Sequence, residues 1–239
     1  MSAHPNVHPN THPEFEALLF DVFGTVTDWK SALISRCERF GVERQLTADW
    51  AALVVEWRSR YKPAIEPVRE GKRLWADFDE LQREEFDALL PRYRLNMLSD
   101  QDRQFLVHGW HRTEPWPDAA PALGRMKQRF ILVPLSNGTV RQLINMAKHA
   151  GLPWDAVLGA DIFRNYKPAP KLYEDALALV GSPAGRVVMV AAHNYDLQGA
   201  QVAGMRTAFI HRQTEDPQPT ARYDFVARDL QDLATQLGA

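Results

Sequence analysis

Residues 15–28 run Phe15-Glu16-Ala17-Leu18-Leu19-Phe20-Asp21-Val22-Phe23-Gly24-Thr25-Val26-Thr27-Asp28. The stretch is mostly apolar up to Phe20, ends at Asp21, and is broken by Gly24. That pattern predicts a buried first strand with a carboxylate just past its C-terminal end. In open parallel sheets, ligands bind beyond that end of the strands. Two positions after Asp21 stands Phe23, a bulky ring that cannot donate a proton.

Outward from this stretch the pattern changes twice. From Trp29 to about Pro115 it is helical, as in Ala51 to Tyr61, Phe78 to Leu90 and Asp102 to Trp110. Glu114-Pro115-Trp116-Pro117 marks a boundary, because each proline biases the residue before it to extended backbone. Beyond it strands and helices alternate. Strands are expected at Phe130 to Leu135, Val157 to Ala160, Val187 to Ala192 and Thr207 to Ile210. Helices are expected at Val140 to Ala150, Lys171 to Val180, Leu197 to Ala203 and Leu230 to Leu237. The fold class that follows is α/β: a Rossmann-like parallel sheet core with helices on both faces, plus an inserted helical cap. The core comprises 15–28 and 117–239, and the cap 29–116. Residues 1–14 read as a disordered tail. His4, His8 and His12 recur there at a spacing of four, but Pro5, Pro9 and Pro13 interrupt any helix that would align them.

Bulk properties narrow the function classes. The chain has 239 residues, 45% apolar and 24% charged, which describes a globular domain with one good core. A formal charge of −2 offers no general attraction to nucleic acid or to an anionic membrane. No apolar run approaches the ~20 residues of a membrane helix, and the N-terminus lacks the apolar core of a signal peptide. The single cysteine, Cys37, excludes an internal disulfide and suits a reducing, cytoplasmic setting. As a chemical group it reads as a small buried hydrophobe.

Four groups fall at strand ends: Asp21, the pair Ser136-Asn137, Lys167, and Asp196. Alone, each is a common turn, cap or surface residue. Together, in this order, they form an active-site constellation. Their order and spacing resemble the haloacid dehalogenase superfamily throughout 15–28 and from Pro117 onward. Within it the chain most resembles the type II L-2-haloacid dehalogenases. Three local patterns carry that: Asp21-x-Phe23-Gly24-Thr25-x-x-Asp28, Leu135-Ser136-Asn137-Gly138, and Tyr166-Lys167-Pro168 with Tyr173 six residues after the lysine. The helical insert after the first loop matches as well.

The resemblance implies roles. Asp21 is the expected nucleophile, attacking the carbon that bears the halogen to form an ester. Lys167 keeps Asp21 ionised. Thr25 and Ser136 orient the carboxylates, and Asp196 orients or deprotonates the water that cuts the ester. Arg58 lies where the group places a halide-abstracting arginine, with Asn137 as its partner from the core; a cap-surface arginine is the other reading. Phe23, Tyr195, Trp57 and Phe78 are expected to wall an apolar pocket, although Trp57 and Phe78 also read as cap core. Tyr173 joins the substrate-binding set. The resemblance further implies a small haloacid substrate, a halide product and a homodimer.

The chain departs from the group before Asp196, where Ala191-Ala192-His193 replaces serine and asparagine. His193 then reads either as a group that positions water or donates a hydrogen bond to a small halide, or as a structural histidine bonded to a backbone carbonyl. With Arg58 it would supply the donors that expulsion of fluoride demands. Phosphatases of the superfamily bind Mg²⁺ through the nucleophile, a carbonyl two residues on and late acids, and protonate the alcohol with a second aspartate. Here Phe23 takes that aspartate's place and Asp196 is the one late acid, so no cofactor and metal-independent turnover are expected. Three alternatives stay open: a Mg²⁺-dependent phosphatase or phosphonate hydrolase, a hydrolase of another small 2-substituted acid, and a binding protein without turnover.

Overall fold

Strand β1 (Ala17–Phe20) is completely buried because it is covered on every side. It pairs in parallel with β4 (Ile131–Ser136) on one edge and β6 (Val187–Ala191) on the other. Outside these lie β5 (Leu158–Gly159), β7 (Arg206–Ile210) and β8 (Phe225–Ala227), giving a parallel six-stranded sheet in the order β5-β4-β1-β6-β7-β8. This is the computed structural model of the chain, and it describes residues 15–239. The tail and its His4, His8 and His12 spacing lie outside the described residues.

Alternation along β1 explains the layers. Leu18 and Phe20 face helices α5 (Ala119–Met126) and α10 (Leu230–Gln236) in one apolar cluster. Ala17 and Leu19 face α8 (Pro170–Val180) and α9 (Asn194–Val202) in another. A strand apolar on both faces and central in a parallel sheet fits the uninterrupted hydrophobic run. Helix α6 (Val140–Ala150) follows β4 and stops at Gly151, whose φ of 65° is the left-handed conformation that a C-terminal glycine permits.

The helical insert contains α1 (Trp29–Arg44), α2 (Trp50–Arg69), α3 (Phe78–Leu89), α4 (Asp100–Val107) and a 3₁₀ turn at His108–Arg112. Two short antiparallel strands, β2 (Thr27–Asp28) and β3 (Glu114–Pro115), pinch its two connections together. Its interior is continuous with the loop after β1: Phe23 stacks on Phe78 at 5.4 Å and meets the edge of Trp110 at 5.5 Å.

Several elements differ from the sequence expectation. Helix α2 continues past Tyr61 through Pro63 and Pro67, because Ile65 and Val68 bury against the insert and outweigh the lost backbone bonds. Helix α9 begins at Asn194 rather than Leu197, so Asp196 sits in a first helical turn. Helix α5 and strand β8 carried no distinct periodic signal. Cys37 is a free, buried thiol, and burial pushes its pKa up to about 12. Among the described residues, no helix is long and apolar enough to cross a membrane.

Candidate active site

A strand end, a loop and a first helical turn deliver charge to one point. Asp21 leaves β1, Lys167 arrives from the loop before α8, and Asp196 from the first turn of α9. Lys167 Nζ donates to Asp21 Oδ1 at 3.0 Å, to the Leu135 carbonyl at 2.7 Å, and to Asp196 Oδ2. Three acceptors match the three hydrogens of an ammonium. Lys167 is 1% exposed. Burial opposes its charge, but Asp196 and Asp21 together raise its pKa. For Asp21, too, burial works against the charge, yet Lys167 and then His193 hold its carboxyl well below the usual range. Asp21 is thus an anion across the physiological range, as a nucleophile requires.

Oδ2 of Asp21 has its own donors. Thr25 Oγ1 donates at 2.7 Å, and Ala192 N–H donates to that same hydroxyl oxygen at 2.9 Å. His193 Nδ1 lies 3.0 Å from Oδ2, while its Nε2 lies 2.8 Å from Glu215 Oε2. His193 is therefore bonded to two carboxylates, not to a backbone carbonyl. Burial disfavours its charge, but Asp21 and Glu215 outweigh it and push its pKa up to about 9. Glu215 follows β7 in a segment without regular structure. It also accepts from Trp29 Nε1 at 2.8 Å, which ties it to the first residue of α1. Nothing in the local sequence around Glu215 signals this role.

Other expectations are corrected by geometry. Ser136 does not reach a carboxylate; its oxygen accepts from Gly138 N–H at 3.2 Å and shapes the turn. Asn137 is bonded not to Arg58 but to the Tyr61 hydroxyl, and its Oδ1 accepts from Lys167 N–H at 2.7 Å. Arg58 instead stacks over Tyr61 at 4.6 Å and Trp29 at 5.3 Å, so Tyr61 stands between the two. Tyr173 is fully buried and donates to Asp196 Oδ1 at 2.6 Å, which withdraws it from any substrate wall. Asp196 is itself 0% exposed, with both oxygens bonded. Burial raises its pKa against the pull of Lys167, which makes it the stronger base of the two aspartates. Trp57 is cap core, its indole N–H donating to the Gln82 carbonyl at 2.9 Å.

A cavity of about 160 Å³ between α2 and the core is lined by Tyr61, Lys62, Glu66, Arg69, Lys167 and Tyr195, so three cations and one carboxylate face it, and neither Asp21 nor Arg58 is in its lining. Tyr195 is half-buried, with Lys62 over its ring at 4.9 Å. The pocket is small, part aromatic and part cationic, which suits a short anionic molecule. A wider cleft of about 930 Å³ beside His111 and Arg141 touches none of these groups.

The donor set does not fit a divalent metal. The Lys167 ammonium occupies the space between Asp21 and Asp196, and Oδ2 of Asp21 faces two N–H or O–H donors. Among the described residues, no group of three or more His, Cys, Asp or Glu is arranged to hold a metal ion.

Known proteins share this arrangement of chain. A family model described as haloacid dehalogenase-like hydrolase matches residues 15–204. The (S)-2-haloacid dehalogenase 4A of Burkholderia cepacia is 31% identical over 206 residues, covering 84% of this chain and 85% of that protein. The crystal structure of the defluorinating L-2-haloacid dehalogenase Rha0230 superposes with a TM-score of 0.91 at 39% identity, covering 94% of this chain and 96% of that one. That of the L-2-haloacid dehalogenase PA0810 gives 0.89 at 40% identity, with 94% and 99% covered.

Proposed function

The chain belongs to the haloacid dehalogenase-like hydrolases, and from that premise we propose that it hydrolyses the carbon–halogen bond of short 2-haloalkanoic acids through an ester on Asp21. The observation that carries this reading is Phe23. A phosphatase needs a proton donor for its leaving alkoxide, and here that position holds a buried ring stacked on Phe78. Halide leaves without a proton. The (S)- and L-2-haloacid dehalogenase names of its relatives support the same chemistry.

In the first half-reaction Asp21 Oδ1 displaces halide from C2 of the substrate, and the bonding pair leaves with the halogen. Arg58 receives the leaving halide in this reading, which its position on α2, stacked over Tyr61 and Trp29, supports. Phe23 and Phe78 keep water away from the displacement. In the second, water adds to Cγ of the ester while Lys167 passes one of its protons to Asp196 Oδ2 and takes the water's proton in its place. No metal takes part.

The test is halide release from chloroacetate, fluoroacetate and both enantiomers of 2-chloropropionate, with and without EDTA, beside p-nitrophenyl phosphate with Mg²⁺. The expected result is halide release that EDTA leaves unchanged and little phosphate release. Phosphate release outpacing every haloacid would overturn the reading. A single turnover in H₂¹⁸O should leave the label in Asp21 rather than in the product.

A further inference from the structure

One imidazole beside the nucleophile faces two carboxylates, at 3.0 Å from Asp21 and 2.8 Å from Glu215. An ionised carboxylate only accepts, so a ring nitrogen at that distance must carry hydrogen. Both acids are engaged as anions by other partners. Asp21 Oδ1 faces the Lys167 ammonium. Glu215 Oε1 accepts from Trp29 Nε1 at 2.8 Å and from the Thr214 hydroxyl at 3.2 Å. His193 is therefore a donor at both nitrogens.

The two oxygens of Asp21 are also unlike each other. The Ala192 N–H bond to Thr25 Oγ1 turns that hydroxyl's hydrogen toward Oδ2. Thr25 and His193 thus converge on Oδ2, and Oδ1 is left to Lys167. Paired, fixed donors on one oxygen of an acyl group are what a tetrahedral oxyanion requires.

We propose that His193, kept doubly protonated by Glu215, is the charged oxyanion donor for hydrolysis of the Asp21 ester, and that Glu215 is its positioning residue. The inference rests on the ester route proposed above. Once Oδ1 has bonded to the substrate carbon and halide has left, Oδ2 is the ester carbonyl oxygen. Water adds to Cγ, and the carbonyl pair moves onto Oδ2, where Thr25 and His193 hold the charge. The base takes one water proton. The Cγ–Oδ1 bond then breaks, and that proton goes to the departing alkoxide to give the 2-hydroxy acid. The water's oxygen stays in Asp21, and its second proton leaves to solvent as the carboxylate re-forms.

The need for Glu215 follows from this sequence of charges. Esterification removes the charge of Asp21, and a buried imidazolium with no anion beside it would lose its proton. Glu215 is the carboxylate that remains. The other groups facing this pair are Arg58 from α2, which acts on Glu215; Tyr195, whose ring lies 5.6 Å from His193; and Lys167 on the far side of Asp21.

The experiment uses the full chain with (S)-2-chloropropionate under single-turnover and steady-state conditions, comparing wild type with Glu215→Gln and His193→Asn. The first equivalent of halide should still be released as a burst. Turnover should fall about 100-fold, as for loss of one oxyanion donor, and intact-mass analysis should show the Asp21 ester accumulating. In the wild type the hydrolytic step should decline as pH rises, at a pH below the value of about 9 that His193 has beside ionised Asp21, because the ester keeps only Glu215 to hold the imidazolium. That decline should move to lower pH in Glu215→Gln and vanish in His193→Asn. His193→Gln carries the same test if Glu215→Gln does not fold. Wild-type ester hydrolysis with an unmoved alkaline limb in Glu215→Gln would overturn the proposal, as would equal slowing of burst and hydrolysis. A wild type that releases no halide from any haloacid would instead refute the parent reading, and this inference with it.

Discussion

A Cβ built on Gly24 would lie 2.4 Å from Cδ of Glu215. The glycine that breaks the first strand therefore serves two ends: it adopts a φ of +87°, and it gives Glu215 room to reach His193. Gly24→Ala is expected to destabilise the fold by about 1–3 kcal/mol from backbone strain alone. It should also slow turnover by displacing Glu215. Urea unfolding beside a halide assay checks both, and a variant of wild-type stability and activity would refute the relationship.

Asp21→Asn should release no halide above background and still fold. Each buried cation keeps one carboxylate in that variant, Lys167 with Asp196 and His193 with Glu215. Circular dichroism reports the fold. Activity near the wild-type level would rule out attack by the Asp21 side chain.

Lys167→Met leaves Asp21 and Asp196 buried without their shared cation. Removal of one partner from such a buried set costs about 3–5 kcal/mol. The midpoint of denaturant unfolding should fall accordingly at neutral pH. The loss should shrink under acid, where Asp196, whose pKa burial already raises, takes up a proton.

Arg58→Ala should cut turnover at least ~10-fold while stability changes by less than about 1 kcal/mol, since Arg58 packs over rings at a half-buried position. Tyr61→Phe removes the hydroxyl that accepts from Asn137 and should raise KM more than it lowers kcat. A large loss of stability in Arg58→Ala, with activity per folded molecule intact, would return that residue to a structural role.

Stability should depend on pH in a defined direction. The His193 pKa is raised from 6.5 to about 9, so its contribution is complete below pH 6.5 and is lost as pH rises through about 9. The Asp21 carboxyl is depressed, so its contribution is present above 3.8 and is lost as pH falls toward its folded value. Urea midpoints measured from pH 6 to 10 should decline in the wild type. That decline should be absent in His193→Asn.

Much of this architecture is legible in the chain itself. The apolar run before Asp21 marked a buried first strand, because parallel strands with helices on both faces admit no alternation; its central place in the sheet came from the pairing. Helix α6 and its stop at Gly151 followed from periodicity and a glycine's tolerance of positive φ. The convergence of Asp21, Lys167 and Asp196 followed from their strand-end positions. These are local patterns, and local physics writes them. Tertiary packing alone decided the rest. It carried α2 through two prolines, enclosed Asp196 behind Tyr173, placed Tyr61 between Arg58 and Asn137, and brought Glu215 from an irregular segment to His193. Such partnerships join residues with no shared period or spacing. Hydrogen-bond demand inside a closed interior selects them only after the chain has folded.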